Sequence, residues 1–220
     1  MNCKLYHIIL GELYQLTHIK YENYIKQKII KKSWFKNGVK TKKIKVCFLA
    51  KTFNPLGSNF YARIFDGHLS FSKYHMIIFE VDGFVNNKIK LHNINAINKS
   101  IYNIFCLLCD VQNSFTATNS FYDLLFCSRL KFIEMYKDRF DNNLQESILS
   151  KVLNSRCIVI GVHKFDFVDL LPTLGFINSL RIKKIIISQP SLSDDKIATI
   201  LNHEYNCHLT RRNICSIRNK

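Results

Sequence analysis

SLSDDKIATILNHEYNCHLTRRNICSIRNK, residues Ser191–Lys220, is the stretch that decides the fold of the carboxyl-terminal part of this chain. Ser191 or Ser193 can cap a first helix. Asp194 and Asp195 then fall in its opening turn, where carboxylates meet the positive end of the helix dipole. The apolar residues that follow repeat at the i, i+3, i+4 spacing of one buried stripe, namely Ile197, Ile200 and Leu201. The pattern predicts an amphipathic helix that begins near residue 194.

A second helix is predicted directly after the first. Asn206 favours the left-handed backbone that ends a helix or forms a turn. Thr210 is a natural N-cap for the helix that follows. Ile214 and Ile217 lie one turn apart on that helix and are expected to pack against the first one. Two helices joined by a tight turn indicate a helix-turn-helix, whose second helix enters the major groove of DNA.

The second helix opens with residue types that suit DNA recognition. Arg211 and Arg212 can each pair bidentately with guanine O6 and N7, and Asn213 can pair with adenine. Exposed amides at a helix start also favour phosphate. We therefore predict a DNA-binding set made of Thr210, Arg211, Arg212, Asn213, Ser216, Arg218 and Lys220. A surface helix pair with a solvated basic end is the alternative interpretation of the same periodicity.

This stretch resembles the C-terminal signature of the sigma-54 class of bacterial RNA polymerase factors. That signature has a proline, then Leu-Ser-Asp, a short helix, and a box that contains paired arginines. The matching positions here are Pro190, Leu192-Ser193-Asp194 and the box Thr210–Arg218, with the same spacing between the tripeptide and the arginines. Ser216 and Ile217 stand where the family box has Lys and Tyr, which removes one lysine contact to phosphate.

The resemblance implies a transcription initiation factor that is not an enzyme and needs no cofactor or metal. Promoter DNA, core RNA polymerase and an AAA+ activator are its implied partners. It also implies three regions, a helical polymerase-core-binding-like region at 1–150, a connecting region at 151–178 and a DNA-binding domain at 179–220. The core-binding region of the family resembles Phe53-Asn54-Pro55-Leu56-Gly57, which here follows a helix and an Asn-Gly pair in the same order.

Composition supports a folded protein with an anionic partner. The 220 residues are 47% hydrophobic and carry a formal net charge of +16, which is the charge expected of a polyanion binder. Uncharged apolar runs are too short to span a bilayer, so we expect no membrane association and a cytoplasmic location. The eight cysteines are scattered, which indicates reduced thiols. Cys106 and Cys109 form a CxxC without a second pair at zinc-site spacing, so no metal site is predicted.

Helical periodicity along the chain predicts a mainly α fold. Helices are expected over residues 1–36, 94–111, 121–140 and 145–153, with a turn at Asn37-Gly38 and a polar linker at 113–120. The alternative is an α/β fold, because Ile44–Leu49 is rich in β-branched and aromatic residues. That alternative would suit an α/β transferase with a parallel sheet through Ile44–Leu49 and Cys157–Ile160. A basic nucleic-acid-binding protein of ribosomal or plasmid type is a further alternative function.

Overall fold

The computed structural model describes residues 12–53, 60–65, 68–85 and 87–218. Contacts between residues divide the chain into two units. Unit 1 consists of Met1–Asp110 and Arg129–Leu170, and unit 2 consists of Val111–Ser128 and Leu171–Lys220. The boundary that the sequence predicts between residues 178 and 179 falls inside a helix of unit 2.

Nine α-helices have both ends within the described residues, and a further helical segment covers residues 12–15. In chain order they are α1 (His18–Ile25), α2 (Ser33–Lys40), α3 (Lys88–Val111), α4 (Asn113–Thr118), α5 (Arg129–Phe140), α6 (Glu146–Leu153), α7 (Leu174–Ser188), α8 (Asp194–Tyr205) and α9 (Arg211–Arg218). A π-helical turn, Lys26–Ile30, follows α1 directly, and three 3-10 turns lie at Lys73–His75, Phe121–Asp123 and Phe167–Leu170.

Seven strands lie in the described part of unit 1. They are β1 (Ile44–Phe48), β2 (Thr52–Phe53), β3 (Ala62–Phe65), β4 (His68–Ser72), β5 (Ile77–Val81), β6 (Cys157–Ile160) and β7 (His163–Asp166). Helices hold 61% and strands 14% of the structure, so the fold is mixed α/β. The prediction of a mainly α fold is therefore wrong, and the α/β alternative fits.

The strands form two small sheets. An antiparallel ribbon joins β1 to β5, and a five-stranded sheet has the order β2-β4-β3-β6-β7. Strands β3 and β6 are parallel neighbours although Ala62 and its partner Ile158 are far apart in the sequence. Since β1 and β6 lie in different sheets, the described strands do not form the parallel sheet that the transferase hypothesis predicts. Pairing between distant segments leaves no local periodicity, which is why helical patterns dominated the sequence.

Helix α3 provides the central packing surface of unit 1. The predicted inward stripe is confirmed, because the side chains of Ile97, Ile101, Ile104, Phe105 and Leu108 are all buried. The side-chain amide of Asn95, in the same helix, also hydrogen-bonds to the edge of the β1–β5 ribbon. The Asn95 amide donates to the Phe79 carbonyl oxygen and its Oδ1 accepts from the Phe79 N–H, both at 2.8 Å. These bonds satisfy backbone groups of β5 that would otherwise be unpaired at a sheet edge.

Two predicted breaks in helical structure are wrong. Asn37-Gly38 lies inside α2, and residues 113–118 form α4, in which Phe115 is buried. Gly38 has no side chain, and this leaves room for Ile44 of β1 to pack against the helix at that position. A Cβ built on Gly38 would lie 2.8 Å from Ile44 Cγ1 and closer still to its Cδ1. The glycine therefore serves close packing, which is a tertiary requirement that resembles a turn signal in sequence.

Other predicted helices are present in the structure, but they begin or end at different residues. The predicted N-terminal helix is broken at residues 16–17 and 31–32 into separate helical segments, while residues 1–11 lie outside the described residues. The predicted helix at 145–153 is α6, with Gln145 as its N-cap residue. Of the helix predicted at 121–140, α5 covers the second half and a 3-10 turn the start. No helix in the described ranges is both long and apolar enough to cross a bilayer.

Candidate nucleic-acid interface

Three helices of unit 2 form a small core around which the candidate interface is built. Helices α7, α8 and α9 and the turn between the last two each contribute buried apolar side chains. The fully or nearly fully buried members are Ile182, Ile185, Ile197, Leu201, Cys207 and Ile214. Ile200 and Ile217, which the sequence places on the same stripes, are partly buried against this cluster. A three-helix core of this kind fixes α9 on α7 and α8 and leaves its other face exposed.

The turn between α8 and α9 follows the sequence prediction closely. Ser193 caps α8, since its hydroxyl accepts from the Lys196 N–H. Asn206 adopts the left-handed conformation, with φ 48° and ψ 43°. The Cys207 N–H then donates to the Leu201 carbonyl oxygen at 3.1 Å. The chain therefore reverses within a few residues and buries Cys207 in the core, which sets the direction of α9.

The start of α9 is fixed by a reciprocal cap. The Asn213 N–H donates to Thr210 Oγ1 at 3.3 Å, and the Thr210 N–H donates to Asn213 Oδ1 at 3.2 Å. The Thr210 hydroxyl also hydrogen-bonds Asn213 Oδ1. This is the geometry of a capping box with Asn in place of Glu or Gln. Because Asn213 Oδ1 is occupied, this conformation does not offer the amide for bidentate pairing with adenine.

Arg211 and Arg212 lie in the first turn of α9 and are both exposed. Arg211 Nη1 is 4.0 Å from Asp195 Oδ2, and the two side chains are 76% and 71% exposed, so the pair contributes little stability. No acidic residue lies in the first turn of α9. Two cations thus face the positive end of the helix dipole, an arrangement that costs about 0.3–1 kcal/mol for each charge near the end.

Arg218 at the end of α9 has an internal contact. Its Nη2 donates to the Leu192 carbonyl oxygen at 2.6 Å and lies 2.9 Å from Asp194 Oδ1. It therefore ties the carboxyl end of α9 to the start of α8, whereas the sequence places it against phosphate. Ser216 is exposed on α9. Lys220, another predicted phosphate contact, lies outside the described residues.

The sequence missed a further cation on this unit. The Arg181 guanidinium of α7 stacks on the Tyr205 ring at 4.5 Å, and its Nη1 donates to Asn178 Oδ1 at 3.3 Å. No motif identifies such a pair, because Arg181 and Tyr205 belong to different helices. The reciprocal cap, in contrast, could have been found, because threonine followed by a side-chain acceptor three residues later is a capping signature.

Four residues of the predicted DNA-binding set lie together at the start of α9, whereas Arg218 at the end of α9 contacts α8. Thr210, Arg211, Arg212 and Asn213 form one exposed helix start, while Arg218 turns back to α8. Among the described residues, no group of three His, Cys, Asp or Glu side chains is arranged to hold a metal ion. In comparisons with known proteins, the chain matches no protein family and no curated protein. The resemblance to the sigma-54 class therefore depends on sequence alone, on the C-terminal signature and on Phe53-Asn54-Pro55-Leu56-Gly57, of which residues 54–57 lie outside the described residues.

Proposed function

We propose that this chain is a sequence-specific DNA-binding protein that acts in transcription initiation and contacts promoter DNA with the start of α9. The observation that carries the proposal is the exposed pair Arg211 and Arg212 on the capped second helix of a helix-turn-helix. Such a helix presents its N-terminal side chains to base edges in the major groove. Each bidentate pairing of arginine with guanine contributes about 1–3 kcal/mol of discrimination.

The electrostatics of α9 support an anionic partner. The paired arginines at its start are unfavourable for the isolated helix, because they oppose the dipole and Asp195 offsets the charge only weakly. Residues that lower the stability of their own helix are expected at sites that bind a ligand. Phosphate and guanine atoms in a DNA groove would supply the negative potential that the helix lacks.

The geometry divides the predicted contacts into two groups. Arg211 and Arg212 are the proposed base contacts, and Ser216, further along the same helix, is exposed and available to the backbone. Thr210 and Asn213 instead hold the helix start in position, and Arg218 anchors the helix end. Within this proposal the second group positions the first.

The resemblance extends the proposal to core RNA polymerase and an AAA+ activator as partners, and to the cytoplasm as location. These parts depend on the signature residues and not on the fold of residues 1–150. That region was expected to be helical and polymerase-binding, but it contains β1 to β5. A docking surface for polymerase would therefore be built partly from sheet.

Fluorescence anisotropy with the full-length chain tests the proposal. The probes are a duplex that carries a sigma-54-type promoter and a scrambled duplex of equal composition, at moderate salt. Arg212→Ala should weaken promoter binding by about 1–3 kcal/mol and reduce the preference for the promoter. Arg129→Ala is the matched control, since Arg129 is also an exposed arginine that begins a helix, α5 of unit 1. Equal loss in both variants would contradict base contact by α9.

A second function, sequence-independent binding of nucleic acid, is favoured by the charge of unit 1. Residues 18–53 contain eleven lysines and one acidic residue, Glu22. Burial and then the charges of Lys28 and Lys32 lower the pKa of Lys90. Lysines of this range therefore lie close enough to other cations of unit 1 to affect their protonation. This function predicts equal affinity for the promoter and scrambled duplexes and a steep loss of affinity with salt.

A further inference from the structure

Unit 1 contains a cleft of about 330 Å³ between the start of α1, the end of α6 and the hairpin of β6 and β7. Ser155, Arg156, Lys164 and Asp166 are among the residues that line it. A cleft of this size is large enough for a small molecule or the end of a larger one. It lies within a single unit and shares no residue with the helix-turn-helix.

Arg156 is a buried cation in the wall of this cleft. The residue is 2% exposed, and burial lowers the pKa of its guanidinium to about 10, which leaves the group charged at neutral pH. Its Nη1 donates to neutral oxygens, the Leu16 carbonyl, the Ser155 carbonyl at 3.2 Å and Ser155 Oγ at 2.9 Å. The aromatic ring of Tyr21 lies 5.6 Å from the guanidinium carbon.

Arg156 has no carboxylate partner among the residues that the structure describes. None of the ion pairs found there includes it, and its Nε and Nη2 have no hydrogen-bond partner in the described ranges. Buried charges are normally paired, because an uncompensated charge in the interior is strongly destabilising. An anion in the adjacent cleft would compensate this charge with little screening by solvent.

The hairpin places a second cation at the same cleft. Lys164 and Asp166 are two residues apart on β7, so their side chains lie on the same face of the sheet. They pair with Val159 and Cys157 of β6. Lys164 is exposed and can reach a ligand in the cleft, while Asp166 opposes an anion there. With Arg156, the three charged side chains leave a net positive charge.

We propose that this cleft binds the terminal phosphate group of a nucleotide or of a nucleic acid strand. A doubly charged phosphate matches the two cations at this cleft, Arg156 and Lys164. Arg156 is buried, and a terminal phosphate, which has one substituent fewer than an internal phosphate, can approach a buried cation more closely. The site is independent of DNA contact by α9.

Isothermal titration calorimetry of the full-length chain tests the proposal. Inorganic phosphate should bind, and sodium chloride at matched ionic strength should give no saturable heat. Adenosine monophosphate should compete with phosphate while adenosine does not. An oligonucleotide with a 5′-phosphate should bind at least fivefold more tightly than the same strand with a 5′-hydroxyl if the ligand is a strand end, and equally if the ligand is a free nucleotide.

One variant removes a cation from the cleft and another removes an anion, and the two should change phosphate affinity in opposite directions. Lys164→Gln should weaken phosphate binding at least fivefold, and Asp166→Asn should strengthen it at least threefold. Both side chains are exposed, so both variants are expected to fold. Lys137→Gln, which removes an exposed lysine of α5 that does not line the cleft, should leave phosphate binding unchanged. Equal weakening by Lys164→Gln and Lys137→Gln, or no saturable phosphate binding, would overturn the proposal.

Discussion

The two units of the chain differ in the sequence separation of the contacts that form them and in the number of charged residues they contain. Unit 2 has helices α4, α7, α8 and α9, and its turn and caps are formed by residues close together in sequence. Unit 1 has two sheets whose strands come from distant segments, and it carries 24 of the 32 lysines and arginines against 12 of the 16 acidic residues. Unit 1 is also the larger unit, and lysines and arginines outnumber acidic residues by two to one in both units.

The two units therefore have a similar balance of charge but a different architecture. A basic surface can hold a polyanion without reading its sequence. The proposed reading of base edges by α9 therefore depends on the capped helix start with its paired arginines and not on a higher charge of unit 2, which holds eight lysines and arginines against four acidic residues.

The largest effect is expected from Ile214→Ala in the core of unit 2. Ile214 is fully buried, and such a truncation costs about 2–5 kcal/mol. Trp34 is the single tryptophan and lies in α2 of unit 1. Urea unfolding should therefore show an early loss of far-UV circular dichroism while the Trp34 fluorescence transition stays in place. Two transitions that shift together would show that the units unfold as one.

A smaller effect, in the opposite unit, is expected from Gly38→Ala. The added Cβ would overlap Ile44, so we expect a loss of about 1–3 kcal/mol, visible in Trp34 fluorescence. Gly175→Ala in α7 is the matched helical control, because a Cβ there meets nothing within 4 Å. That variant should be neutral or gain up to about 1 kcal/mol in helix stability. A destabilised Gly175→Ala protein or a stabilised Gly38→Ala protein would contradict the packing argument.

Acid should destabilise unit 1 through His75. This side chain is fully buried and stacks on His18 and Tyr21, each at 4.7 Å. Burial and then the charges of Arg156 and His18 hold its pKa well below the ordinary value of 6.5. Below pH 6.5 the unfolded chain therefore takes up a proton that the folded chain does not. Stability should fall with decreasing pH by up to about 1.4 kcal/mol per pH unit.

The measurement for this pH dependence is the urea midpoint of Trp34 fluorescence between about pH 7.5 and 5.5. His75→Phe keeps an aromatic ring for stacking but cannot take up a proton, so its midpoint should depend less on pH. Burial raises the pKa of Glu22, but His18, Ser72 and Lys26 together lower it below the ordinary value, so Glu22 acts in the same direction but only near and below pH 4.5. An unchanged slope in His75→Phe would assign the acid sensitivity to other groups.

The smallest effect is expected from Thr210→Ala, which removes the cap of α9. Loss of an N-cap costs about 0.5–2 kcal/mol. Thr173 caps α7 in a similar way, since its hydroxyl accepts from the Phe176 N–H at 3.3 Å. Thr173→Ala should therefore cause a similar loss of stability, but only Thr210→Ala should weaken promoter binding in the anisotropy assay. Equal loss of DNA affinity would show that the cap of α9 has no special role in recognition.

The structure of unit 2 was largely predictable because its signals are local. Ser193, Asn206 and Thr210 each act on backbone groups within a few residues, so their positions in the sequence fix the helix ends. The role of Arg218 was not predictable. Its partners, Asp194 and the Leu192 carbonyl, lie 24 and 26 residues away, and only the packing of α9 on α8 brings them together.

Unit 1 was predicted less well for the same physical reason. The helical stripe of α3 is a local repeat and was found. Strands at Ile44–Leu49 and Cys157–Ile160 were named only in the α/β alternative, and their pairing partners were not predicted correctly. Gly38 was taken for a turn because a glycine that permits close packing and a glycine that permits a turn look alike in sequence. The cluster of His75, Tyr21 and Arg156 was missed entirely, since no spacing links residues from α1, a 3-10 turn and the start of β6.

By itself, the sequence determined the caps, the turn and the exposed arginine pair of the carboxyl-terminal helices, together with the excess of positive charge. These features depend on hydrogen bonds and charges among near neighbours, which a linear pattern records. Only the tertiary structure decided that the fold is mixed α/β, that Arg218 anchors α9, and that Arg156 lies buried beside a cleft. These features depend on contacts between distant segments, which form only when the chain has closed long loops to make its core.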